Sequence, residues 1–170
     1  YYPTGLQLTR DEFEQSYQAA TPKGQKNKEL KIKIQSIESK ANDLKDTLGT
    51  FSFEKLEKKL FRPSGAAHNV FYFYSQVIKQ LEMEDRLGTA SNYNLSVKSL
   101  KKFLRFNNKK EDNLNFEDVT VTFLRDYEKW MLSQEKSMTT VGIYIRPLRA
   151  IFNVAIAEGE LSNDSYPFGK

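Results

Sequence analysis

The chain has 170 residues, a net charge of +4 and no cysteine. Without cysteine there is no disulfide framework, no thiolate metal site and no cysteine nucleophile. No uninterrupted apolar run reaches the roughly 20 residues that span a bilayer, and no signal peptide opens the sequence, so we expect no membrane partner. The length suffices for one or two small domains with a real core.

Charge is distributed unevenly along the chain. Basic residues dominate the first two-thirds, whereas residues 107–136 carry seven acidic and five basic groups. A basic balance of this size permits nucleic-acid binding but equally fits a lysine-rich solvated surface. Charge alone therefore leaves both interpretations open.

Residues 1–62 are predicted to be a helical attachment. Thr9 and Glu12 form a capping box, with Leu8 and Phe13 placed as a hydrophobic staple. A long helical stretch over 24–48 follows, and Ser52 caps a short helix after it. Apolar residues at alternating spacings of four and three form a seam on the long helix: Leu30, Ile34, Ile37, Ala41, Leu44 and Leu48.

The breaker sequence Arg62-Pro63-Ser64-Gly65 predicts a domain boundary, with a four-helix domain over 63–165 and an exit linker over 166–170. No convincing strand or repeat is present, so the fold class is all-α. Thr89 and Ser137 are the predicted N-caps of two of the helices. The four helices are predicted at about 67–87, 89–105, 122–132 and 137–159.

The 89–105 helix has one apolar face and one cationic face. Ser91, Asn94, Lys98, Lys101, Lys102 and Arg105 lie opposite an apolar sector. The free N–H groups after a cap at Thr89 can meet an anion. A solvated outer face explains the same pattern, because charged stripes on helices are usually surfaces exposed to solvent.

The 137–159 helix carries a second polar flank. Thr139, Gly142, Arg146, Arg149 and Asn153 follow a spacing of three and four residues. Arginine suits guanine edges and asparagine suits adenine edges, while hydroxyls such as those of Thr139 and Thr140 donate to phosphates. Pro147 removes one N–H inside this helix and predicts a kink.

Two motifs carry a family resemblance that covers about residues 66–168. The first is R-x-G-T-A-x-x-Y at Arg86 to Tyr93, followed by SLKKFL at 99–104. The second is S-x-T-T-V-x-x-Y-x-R-x-L-R-x-I-F-N-x-A-I-x-x-G, at Ser137 to Gly159. These residues resemble the core-binding, SAM-like domain of tyrosine recombinases, or phage integrases, and most of all those of Bacteroidetes mobile elements. The upstream residues more weakly resemble that family's spacer and the tail of its arm-binding domain.

The resemblance implies the DNA-binding portion of a site-specific recombinase or transposase in the bacterial cytoplasm. Its partner is double-stranded DNA at an attachment or inverted-repeat site, and the parent recombinase self-associates on that DNA. The implied contact residues are Thr89, Ser91, Lys98, Lys101, Lys102, Arg105, Thr139, Thr140, Arg146, Arg149 and Asn153. We expect the cationic sides of the two helices to converge into one concave surface.

The family's cleavage chemistry is not expected in this chain. Strand cleavage in that family uses a tyrosine nucleophile and a pair of arginines, because a phosphate under attack needs fixed cations. His68 is the only histidine, and no H-x-x-R follows it. No catalytic residue, metal site, cofactor or small-molecule substrate is predicted, and we expect a catalytic domain beyond Lys170 of a longer parent protein.

Two alternatives remain open at this point. The 30–48 seam and the aromatic cluster at 71–74 also fit a helical protein-interaction module. An enzyme is the other alternative, although none of the nine tyrosines has a recognisable basic cradle.

Overall fold

The structure of the chain, a computed structural model, describes residues 6–47, 52–63 and 65–169. It divides into two compact units, Tyr1–Pro63 and Ser64–Lys170. The described residues contain seven α-helices and no strand, and their one β-type pairing is an isolated bridge between Asn69 and Asn115. The all-α prediction is therefore confirmed.

The first unit is built around one long helix. Its elements are α1 (Arg10–Phe13), a π-helical turn (Glu14–Gln18), α2 (Gln25–Thr47) and α3 (Phe53–Leu60). The predicted capping box is present, since Thr9 Oγ1 accepts from the Glu12 N–H at 3.2 Å and the Glu12 carboxylate accepts from the Thr9 N–H at 3.0 Å. Hydrogen bonds from Lys26 and from the Thr9 N–H lower the pKa of Glu12 to about 2.

The apolar seam of α2 is half-buried in its unit. Leu30, Ile34, Ile37, Ala41 and Leu44 are all of intermediate exposure, while Leu48 lies outside the described residues. No large apolar side chain in the described part of this unit is fully buried. Polar bonds fasten other elements to α2: Lys31 Nζ donates to the Ala19 carbonyl at 2.6 Å, and Lys40 Nζ donates to that of Leu60 at 2.7 Å.

The second unit has the expected four helices around one core. Its helices are α4 (Val70–Met83), α5 (Leu87–Phe106), α6 (Val121–Ser133) and α7 (Met138–Ala157), with short 3₁₀ turns at Phe116–Asp118 and Asn163–Ser165. Helix α5 packs against α4 and α7, and α7 also packs against α4 and α6. The core includes Val70, Phe73, Leu100, Leu104, Phe116, Tyr127, Leu148 and Phe152.

Helix α7 is, with α5, one of two central helices of this unit, since each packs against the three others. By length and composition this helix could cross a membrane. Its apolar residues do not form an uninterrupted run, because Arg146 and Arg149 lie among them. Leu148, Ile151 and Phe152 are fully buried among the other helices. Its apolar residues therefore serve the packing of the domain.

The aromatic cluster at 71–74 belongs to this core, so it does not support the alternative of a protein-interaction module. Phe73 and Tyr74 are buried, and Phe71 and Tyr72 are half-buried against the core. Phe73 packs edge-on against Phe116, with ring centroids 5.2 Å apart. Four consecutive aromatic residues are accommodated because α4 is covered on more than one side, by α5 and by the loop before α6.

The segment expected to be an exit linker also packs on the domain. Phe168 lies edge-on against Phe152, with centroids 5.4 Å apart, and Tyr166 lies beside both. These two aromatic side chains cover the C-terminal part of α7. That residues 166–170 lead out of the domain as a linker stays a prediction.

Three helices of the second unit end at a residue with positive φ that is not glycine. Asp85, Asn108 and Glu135 have φ of 57°, 56° and 60°. After each, the next N–H bonds back to the last helical turn, as Arg86 N–H does to the Leu81 carbonyl at 2.8 Å. This hydrogen-bond pattern satisfies carbonyls that the helix end leaves without intrahelical donors.

This turn chemistry corrects the predicted start of α5. Arg86 is the N-cap, Gly88 lies inside the helix, and Thr89 is in its first turn. The chain reverses at Asp85, which has a positive φ, and α5 begins two residues later at Leu87. Ser137, by contrast, caps α7 as predicted and accepts from the Thr140 N–H at 3.2 Å.

Replacing Glu135 with glycine should stabilise the second unit. A non-glycine residue in the left-handed region costs about 1 kcal/mol, which Glu135→Gly removes. We expect the free energy of unfolding to rise by about 0.5–1 kcal/mol in denaturant titration. Glu135→Ala keeps the strained φ and is the matched control, so an equal gain from both variants contradicts the argument.

Alkaline pH should unfold the second unit through two buried tyrosines. Burial raises the pKa of Tyr74 and of Tyr127 above the usual value of 10.0. Both are neutral in the folded state, so their contribution to stability is complete below pH 10 and is lost as the pH rises further. An ultraviolet titration should show them ionising together with the loss of helical circular dichroism. Ionisation of both near pH 10 with full helicity retained contradicts this.

Candidate nucleic-acid interface

An open groove of about 440 Å³ runs along the outer side of α5. Its walls are α5, the end of α6 with the turn that follows it, and Tyr144 near the start of α7. The lining residues are Leu95, Lys98, Ser99, Lys101, Lys102, Arg105, Glu111, Trp130, Met131, Gln134, Lys136 and Tyr144. Five cationic side chains and one carboxylate thus surround a partly apolar floor.

Four of the five cations come from the cationic face predicted for α5. Lys98, Lys101, Lys102 and Arg105 all line the groove, because the opposite face of α5 is fixed in the core by Leu100, Phe103 and Leu104. Lys98 and Lys102 are exposed and make no ion pair among the described residues. Ser91 is exposed two turns before Lys98 on the same side of the helix.

The turn between α6 and α7 supplies residues that the sequence analysis did not select. Lys136 and Gln134 line the groove opposite α5, and Trp130 and Tyr144 contribute to its floor. The positive φ of Glu135 gives the turn its shape and presents Lys136 just before the Ser137 cap. Lys136 lies outside the helices, so helical periodicity could not select it. The one signal in the sequence was its position as a basic residue directly before the Ser137 cap.

The α7 residues predicted to contact bases are placed elsewhere. Arg146, Arg149 and Asn153 are exposed but do not line the groove. Relative to Tyr144 they lie about 200°, 140° and 180° around the helix axis, so they are on the other side of α7. Arg149 Nε donates to the Tyr166 hydroxyl at 2.8 Å. The expected convergence of the cationic sides of α5 and α7 into one concave surface is therefore wrong: the groove joins α5 to the α6–α7 turn, and the arginine flank lies on a separate face.

The hydroxyl residues at the helix starts have mixed positions. Thr139 is exposed, whereas Thr140 is half-buried and its hydroxyl lies 3.0 Å from that of Ser137 within the cap. Thr89 is half-buried in the first turn of α5, ahead of the first intrahelical bond, which runs from the Ala90 N–H to the Arg86 carbonyl. Their roles as DNA contacts stay predictions.

A buried hydroxyl chain sets the position of α5 relative to α7. The Ser96 and Tyr74 hydroxyls are 2.8 Å apart, and Ser96 Oγ donates to the Tyr144 carbonyl at 2.7 Å. Ser96 is fully buried, so this contact connects α4, α5 and α7 at the level where Tyr144 enters the groove. One turn further along α5, Ser99 accepts a 2.8 Å bond from the Tyr127 hydroxyl of α6. Two buried serines thus tie the groove-forming helix to all three of its neighbours.

Removing the Ser96 hydroxyl should destabilise the second unit. Ser96→Ala leaves the buried Tyr74 hydroxyl without its partner, which costs about 1–3 kcal/mol. Ser91→Ala, on the exposed side of the same helix, should change stability by less than about 0.5 kcal/mol. Chemical denaturation of both variants measures the difference, and equal losses contradict the role given to Ser96.

The second unit is thus an all-α, four-helix domain with a cationic groove between α5, the turn after α6 and the start of α7. A model of the phage integrase SAM-like domain family matches residues 69–170, which is 102 of the 170 residues. The chain therefore belongs to the phage integrase SAM-like domain family. No curated protein and no solved structure matches the chain significantly. In integrases this N-terminal, SAM-like domain is the non-catalytic part.

Proposed function

We propose that the chain is the DNA-binding portion of a site-specific tyrosine recombinase and that it grips one side of the crossover site. The groove of α5 is the primary contact surface in this proposal. The observation that carries it is the set of five cations around the groove, in a domain of the integrase family. Cationic grooves bind the phosphate backbone of DNA regardless of its sequence.

The groove residues differ in the DNA groups that they suit. Lysines are compact point charges that suit phosphate oxygens, so Lys98, Lys102 and Lys136 position the duplex. Gln134, at the same edge, can hydrogen-bond to phosphate or to a base. Arg146 and Asn153, on the other face of α7, are the residues that suit base edges, and they contribute only if the duplex extends around that helix.

At the level of the parent protein, the proposal follows the family. A catalytic domain lies after Lys170 in this proposal, and the parent recombinase self-associates on an attachment or inverted-repeat site in the bacterial cytoplasm. An origin in Bacteroidetes mobile elements rests on the motif resemblance alone. The protein-interaction module has lost one of its two supports, since the 71–74 aromatic residues are part of the core.

The Lys98→Ala/Lys102→Ala variant should bind duplex DNA more weakly and with less salt dependence. Each phosphate contact contributes about −0.9 to the slope of log K against log salt, so losing two flattens the slope by about two. Fluorescence anisotropy of the full chain on a random 25-base-pair duplex, over a series of salt concentrations, measures the slope.

The matched control is Lys79→Ala/Arg125→Ala, which removes the same charge. Both residues are exposed and neither lines the groove. If this control flattens the slope as much as the groove variant, binding follows net charge and the groove is not the interface. If the wild-type chain does not bind duplex at low salt, the proposed function is wrong.

The Arg146→Ala/Arg149→Ala variant tests the second face in the same assay. We expect the salt slope to flatten by less than two, because Arg149 already bonds to Tyr166 and the flank lies outside the groove. An unchanged slope removes both arginines from the interface. A loss larger than that of the groove variant moves the primary contact surface to α7.

A further inference from the structure

Part of the cationic groove is already occupied by carboxylates from the chain itself. Arg105 Nε lies 2.8 Å from Glu111 Oε1, and Lys101 forms an ion pair with Asp112. Both acidic residues belong to the loop that follows α5. The other three groove cations, Lys98, Lys102 and Lys136, make no ion pair within the described residues.

The loop that carries these carboxylates is fastened to the domain through its backbone. Asn69 Nδ2 donates to the Asp112 carbonyl at 3.0 Å, and the Val70 N–H donates to the Leu114 carbonyl at 2.8 Å. The Leu114 side chain is 1% exposed and is packed in the core. The carboxylates therefore stay beside α5 whether or not their ion pairs are formed.

The side chains themselves can be displaced at small cost. In the Lys101–Asp112 pair the side chains are 32% and 82% exposed, and in the Arg105–Glu111 pair they are 62% and 39% exposed, so both pairs are open to solvent on one side. Exposed ion pairs contribute about 0–1 kcal/mol, so a phosphate oxygen can take the place of either carboxylate. A displaced carboxylate still lies within the Debye length of about 10 Å at 0.1 M salt, and it therefore continues to repel the phosphate.

We propose that Glu111 and Asp112 are internal counter-ions that compete with DNA phosphates for Arg105 and Lys101 and so weaken binding of the isolated domain. This inference rests on the proposed DNA-binding function of the groove. As a consequence, Lys101 and Arg105 contribute fully to DNA binding only when phosphate groups displace both carboxylates. Non-specific binding is thereby kept weaker than five groove cations would give.

The test is the Glu111→Gln/Asp112→Asn variant of the full chain, which keeps side-chain size and removes both charges. Its affinity for the random 25-base-pair duplex should rise about tenfold at 0.1 M salt. The salt slope should steepen by one to two, since up to two more cations release counterions at about −0.9 each. Adding Lys101→Ala/Arg105→Ala to the variant should abolish the gain.

The charge-matched control is Glu82→Gln/Glu158→Gln. Both residues are exposed, at the end of α4 and at the C-cap of α7, and neither lines the groove. Circular dichroism melting of each variant checks the fold, and the single Glu111→Gln variant provides an independent measurement with half of the charge change.

The outcomes separate this inference from the proposed function. A wild-type chain that binds duplex, with a double variant no tighter than its control, overturns the inference and leaves the groove as the interface. A gain that persists without Lys101 and Arg105 also overturns it, since the effect is then one of net charge. A wild-type chain that does not bind at low salt overturns the proposed function and this inference together.

Discussion

The geometry of the second unit depends on how α5 is held at the centre of the bundle. An apolar face alone allows a helix to slide or rotate by small amounts against its neighbours. Ser96 and Ser99 remove that freedom, because each places a buried hydroxyl within hydrogen-bond distance of a group on a neighbouring helix. A misplaced α5 would bury these polar groups without partners, and such groups are costly. The buried serines thereby fix which residues of α5 face outward.

The outward face then acquires its charge pattern from two different sources. Helical periodicity puts four basic residues of α5 in one stripe, whereas the fifth groove cation and the two neutralising carboxylates come from loops. The loop carboxylates are kept in position by backbone bonds to the start of α4. The electrostatics of the surface is therefore a property of the folded domain, and net charge along the sequence gives a poor description of it.

The sequence predicts the helices of this unit well and their ends less well. Apolar spacing identifies α4 to α7 and the buried faces of α5 and α7, because packing requires that periodicity. The predicted start of α5 is wrong because Asp85 follows α4 with a positive φ, where glycine or asparagine is expected. Backbone hydrogen bonds from the Arg86 and Lys136 N–H groups back to the Leu81 and Met131 carbonyls accompany this conformation at Asp85 and at Glu135.

The candidate interface was only half accessible from the sequence. The cationic stripe of α5 could be predicted, and its position in a groove follows from the same periodicity that defines the core. The opposite wall of the groove could not be predicted. The arginine flank of α7 has helical spacing as regular as that of the α5 stripe, yet it lies on the far side of its helix from Tyr144. Periodicity shows which residues share a face, but the angle between two helices decides which faces meet. Here the Ser96 bond to the Tyr144 carbonyl joins α5 to α7 at the residue that lines the groove, whereas the arginine flank does not line it.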